Sequence, residues 1–135
     1  MAIARETTTS NIKPLTGAIV RRYTASAAID PAEWVYISGS GTIAPADGSA
    51  VSTSGVIGVA LPPPNNGTAF ASGDRVDVVV FGPCQCVTGA TAGALVYVSD
   101  TTGEPSETTG TKTTICGTAE TATIVFVNPQ VVSLS

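Results

Sequence analysis

Val35-Tyr36-Ile37-Ser38 returns 61 residues later as Val96-Tyr97-Val98-Ser99. Each copy runs into a Gly/Pro/Asp-rich stretch, residues 39–48 and 100–110. A second pair follows: Val56-Ile57-Gly58-Val59-Ala60 and Ile115-Cys116-Gly117-Thr118-Ala119. Each half then closes on an apolar run entering a turn, Val80-Phe81-Gly82-Pro83 and Phe126-Val127-Asn128-Pro129. None of these motifs is informative alone. In the same order and at nearly the same spacing, they predict a duplicated unit. The runs are short, rich in Val, Ile, Tyr and Thr, and bounded by turn residues, so the unit is β. Gly58 and Gly117, inside strand patterns, predict a bulge or a close approach of backbones.

Outward from this pair of motifs the same texture continues. Strands are expected at Ala18–Tyr23, Trp34–Ser38, Thr42–Ala44, Val56–Leu61, Arg75–Phe81, Gln85–Thr88, Leu95–Ser99, Thr113–Thr118 and Thr123–Val127. Val78-Val79-Val80-Phe81 reads as a central strand covered on both faces. Helix signals amount to Asp30-Pro31-Ala32-Glu33, enough for one turn. The fold class is therefore all-β: a small β-barrel or β-sandwich built from two similar meander units. Residues 17–129 form one β domain, with halves at 17–83 and 84–129. Residues 1–16 are polar, Thr-rich and aperiodic, and read as an extended, unanchored N-terminal arm; residues 130–135 read as a C-terminal tail.

At 135 residues and 13.5 kDa the chain has room for one modest core. Only 12% of residues are charged against 43% apolar, too apolar for a disordered chain. The charge is uneven. Residues 1–22 hold Arg5, Lys13, Arg21 and Arg22 against Glu6 alone, whereas the remainder holds Arg75 and Lys112 against nine carboxylates. An acidic body is unsuited to neutralising phosphates, so no nucleic-acid partner is expected. A basic segment on that body suits an acidic surface of another protein. The longest apolar run, residues 55–64, is too short for a membrane span. Met1-Ala2-Ile3-Ala4-Arg5-Glu6 meets a charge before a signal core forms, so synthesis in a cytosol is expected.

The absence of histidine removes Ser-His-Asp and Cys-His pairs and His-ligated zinc. Cys84, Cys86 and Cys116 lack metal-site spacing and read as small buried hydrophobes, with Cys84 and Cys86 on one face of a strand. Asp74 and Asp77 fall on opposite strand faces, and Asp47, Asp100, Glu104 and Glu107 lie in turns. No enzyme, metal or cofactor is expected. Candidate contact residues are the cations Arg5, Lys13, Arg21 and Arg22, the terminal apolar residues Ile3, Ile12, Val131 and Leu134, and Pro63 in a triple-proline loop. Trp34, beside Pro31 and Glu33, is either a core residue or an exposed interface anchor.

The succession Glu33-Trp34-Val35-Tyr36-Ile37, Gly55–Ala60, Ala71-Ser72-Gly73-Asp74-Arg75-Val76-Asp77-Val78, Gly82-Pro83, Gly93–Asp100 and Ile115–Ala119 resembles the head decoration, or capsid cement, proteins of tailed bacteriophages. The resemblance covers most of residues 17–127. It implies a β-barrel-like body, usually a homotrimer on the outer capsid surface, that clamps neighbouring major capsid protein subunits after expansion. The implied location is the virion. A tail or fibre component and a carbohydrate-binding β module share the composition; the latter would need Trp34 exposed.

Overall fold

Short β-branched runs are stable only when paired, and here they pair in an order that mirrors itself about the centre. The computed structural model describes residues 3–63 and 69–133. Its strands are β1 (Ala4–Arg5), β2 (Lys13–Pro14), β3 (Ile19–Thr24), β4 (Trp34–Ile37), β5 (Ile43–Pro45), β6 (Val56–Ala60), β7 (Arg75–Gln85), β8 (Val87–Thr88), β9 (Leu95–Val98), β10 (Pro105–Ser106), β11 (Thr113–Ala119) and β12 (Ile124–Ser133). No α-helix occurs among the described residues. Ten strands form one curled antiparallel sheet in the order β10-β9-β11-β12-β7-β6-β4-β5, with β2 and β3 added along β7. β1 and β8 form a small second sheet.

The mirrored order makes β4–β7 the counterpart of β9–β12, with β7 and β12 paired at the centre through Val127–Gly82 and Val125–Cys84. Register repeats as well. Val35 faces Gly58 and Tyr36 faces Val56; Val96 faces Gly117 and Tyr97 faces Ile115, each with a one-residue shift at the same place. The expected close approach explains both glycines. A Cβ on Gly58 would land on the carbonyl oxygen of Val79, and one on Gly117 on that of Phe126.

Two details differ from expectation. The units are not strict meanders, because β5 folds back on the outer edge of β4 while β6 returns to its other side. The counterpart of Phe126 is Val79, not Val80. An extra residue at Val80 bulges β7, since Ile19 pairs with Phe81 while Val20 pairs with Val79.

The two units are covered differently. In the first, β3, β7, β6, β4 and β5 curl until a parallel bridge, Ala25 to Ile43, joins the two ends. Inside this ring lie Ala25, Ile29, Val35, Ile43, Ala60, Phe70, Val76 and Val78. The second unit stays open and packs across the outside of the first, with β6 against β11 and β12. Between them is the larger core, in which Trp34, Val59 and Val79 meet Val96, Val98, Ala119, Val125 and Val127.

The N-terminal segment is extended but not loose. β1 pairs with β8, β2 pairs with β7, and Ile12 is buried in the larger core. Arg5 clasps the segment to the body: its Nε donates to Glu104 Oε2 at 3.0 Å and its Nη1 to the Pro31 carbonyl at 3.0 Å. The expectation of an unanchored arm is corrected accordingly: strand pairing, the apolar contacts of Ile3 and Ile12 and the Arg5 ion pairs dock it together. Residues 130–133 continue β12 beside β11 rather than forming a separate tail. Residues 30–33 form a β-turn, not a helical turn. Glu33 N–H donates to Asp30 O at 3.2 Å, and Ala32 takes a left-handed φ of 68°, the type II backbone that Pro31 favours.

Candidate binding surface

The mirrored architecture exposes in one unit what it hides in the other. Trp34, Val59 and Val79 are buried beneath the second unit. Their counterparts are Leu95, Thr118 and Phe126, in register across β9, β11 and β12. This row faces outward: Leu95 is 42% exposed, Thr118 is exposed and Phe126 is half-buried. The row continues onto β7. Phe126 lies opposite Pro83, and its ring meets that of Phe81 edge-on, with centroids 5.2 Å apart and planes at 82°. Phe81, 42% exposed, faces Ile19, 53% exposed, on β3. A band with apolar side chains on β9, β12, β7 and β3, and Thr118 between them on β11, therefore crosses the open face, and such bands mark interaction sites more often than chance.

Beside the band lies a basic edge. Lys13, Arg21, Arg22 and Arg75 are all exposed along β2, β3 and the start of β7. Arg22 Nε donates to Asp77 Oδ1 at 2.9 Å across the strands, and this contact holds the guanidinium charged, raising its already high pKa. The Arg21 guanidinium sits 5.9 Å from the centre of the Tyr23 ring. Both arginines stand exposed on β3, each beside a partner within the chain.

The expected contact residues divide. Lys13, Arg21 and Arg22 are exposed together on this edge. Arg5 is spent on Glu104 and Asp30 within the chain. Ile3 is half-buried against the larger core. Two assignments are corrected: Ile12 is 4% exposed and Trp34 is fully buried, so neither presents a side chain to a partner. Both fill the seam between the units, where an apolar side chain gains most. Pro63 is half-buried. Val131 pairs through its backbone with Thr114, and Leu134 lies outside the described residues.

The sequence reading missed Ile19, Val20, Phe81, Leu95 and Phe126. A signal existed in the repeat itself. At two positions of the row, Trp34 with Leu95 and Val59 with Thr118, the second unit carries the smaller or more polar residue, whereas at the third, Val79 with Phe126, it carries the larger.

Chemistry elsewhere is sparse. Cys84, Cys86 and Cys116 are free and buried, and no group of His, Cys, Asp or Glu among the described residues could hold a metal ion. Burial pushes the Cys116 thiol well up; Cys86 is pushed up by its hydrogen bond with Cys84 and by burial. Thiols so held are poor nucleophiles. A cavity of about 300 Å³ lies between Ile3 and the β9–β10 hairpin. Its one carboxylate, Glu107, already accepts from the N–H and hydroxyl of Thr91. No protein-family model matches the chain, and no curated protein matches it.

Proposed function

We propose that this chain is a structural virion protein that binds the outer surface of a phage capsid and stabilises it by bridging major capsid protein subunits. The observation that carries this reading is the apolar band from Leu95 to Ile19, flanked by the basic edge, on a body braced by two cores. A rigid body with one open, mixed apolar and basic face is suited to adhesion across a broad surface. Preferential binding to the expanded lattice would stabilise that state by mass action, with no reaction needed. The resemblance to capsid cement proteins supplies the partner and the homotrimeric state as parts of the same proposal. The carbohydrate-binding alternative required Trp34 as a platform, and Trp34 is buried.

Co-sedimentation with phage heads, before and after expansion, tests the proposal. Binding to expanded heads together with a raised head-disruption temperature is expected. Equal failure to bind both forms would overturn it. Native mass measurement tests the trimer.

A further inference from the structure

Four of the six Lys/Arg residues share the β2–β3 edge with only two of the ten acids, Asp74 and Asp77. β3 also has an unused side. Ala25 N–H donates to Asp74 O, toward β7, while Ser26 N–H donates to Ile43 O on the opposite side. Alternation back along β3 turns the N–H and C=O groups of Thr24, Arg22 and Val20 to that opposite side. β5 reaches it only at Ile43, beyond the end of β3. Among the described residues no strand pairs with the edge from Val20 to Thr24.

We propose that β3 accepts an extended acidic segment of a partner protein as an added strand. Where the partner is a capsid subunit, this rests on the function proposed above. An open edge offers a row of backbone donors and acceptors, and side-chain charge decides what may pair with it. A second copy of this chain is disfavoured as the occupant. Two β3 strands meeting antiparallel set outward residue against outward residue, so the registers of fullest overlap place Arg22 against Arg22 or Arg21 against Arg21 of the other copy, a like-charge contact. An acidic segment meets the reverse situation: its carboxylates on alternate faces reach Arg22 on one side of the sheet and Arg21 on the other. Val20, 41% exposed, adds apolar surface next to Ile19.

The probe is a pair of extended peptides of about ten residues, a typical upper strand length, in which Val/Thr pairs alternate with Asp-Asp pairs in one and with Lys-Lys pairs in the other, so that charge falls on both faces. Fluorescence anisotropy gives affinity, and amide resonances of the full-length protein locate the contact. The acidic peptide is expected to bind, to shift the amides of Val20, Arg22 and Thr24, and to weaken with salt. Arg21→Gln/Arg22→Gln should weaken it at least about tenfold while leaving Tm within a few degrees. Val20→Pro, which removes an outward N–H, should weaken it with both arginines intact. No binding of the acidic peptide, equal binding of the Lys peptide, or shifts confined to other strands would overturn the proposal. Heads bound by a protein that ignores the acidic peptide would overturn the edge alone; peptide bound by a protein that ignores heads would overturn the capsid reading alone.

Discussion

The first unit closes on itself and is roofed by the second; the second copies its strands and registers yet leaves its outer face open. Val35-Tyr36-Ile37 and Val96-Tyr97-Val98 sit alike in their ladders. Trp34 nevertheless has no exposure while Leu95 has 42%. Local pattern sets the strand and its register; burial is set by what the rest of the chain lays across it. A repeat can thus hold one fold twice while assigning one copy to stability and the other to contact.

The largest expected effect is also the one that treats the units alike. Gly58→Ala and Gly117→Ala each place a Cβ on a neighbouring carbonyl, and each should cost about 3 kcal/mol or more in urea unfolding. If one is tolerated and the other not, the two registers are not equivalent. Trp34→Ala and Leu95→Ala should then separate the units. The first empties part of the seam core, at about 3–5 kcal/mol, and the second trims an exposed side chain, at under about 1 kcal/mol. Similar costs would mean that Leu95 is covered in solution.

Smaller effects concern the clasp between the N-terminal segment and the body. Arg5→Ala leaves the Glu104 carboxylate, 29% exposed, without its partner and should cost about 1–2 kcal/mol. Earlier amide exchange in residues 3–14 than in β12 should accompany it. The Glu33 carboxyl nearby is pushed up, first by burial and then by Asp30 and Glu104, against the opposing Asp30 N–H and Arg5. The folded state therefore holds this proton more tightly than the unfolded state. Its contribution to stability is present below the ordinary Glu range and declines as pH rises through the folded value. Glu33→Gln keeps the amide oxygen that accepts from Asp30 N–H. It should flatten that decline and raise stability near neutral pH by less than about 1 kcal/mol, read from melting curves across pH.

Much of the fold was legible because β-branched runs and turn residues state their own boundaries. Val35-Tyr36-Ile37 and its echo placed β4 and β9, and Gly58 and Gly117 marked the close approaches. The docking of residues 3–14 was not legible, since Ile12 and Arg5 stand alone in a polar stretch and make no periodic pattern. Nor was the bulge at Val80, which moves the match between halves by one residue and depends on how β3 seats on β7. Of the candidate surface, Lys13, Arg21 and Arg22 were visible as charge. The apolar band was hidden because Phe81, Leu95 and Phe126 look like core residues until the second unit is seen to have no roof.

Head binding by a double variant of that uncovered face tests the account most directly. Leu95→Asp/Phe81→Asp alters two exposed side chains of the band, and its melting temperature should stay within a few degrees of the parent. The prediction is a folded protein that no longer co-sediments with expanded heads to which the parent binds. A variant that folds and binds those heads as tightly as the parent would contradict it.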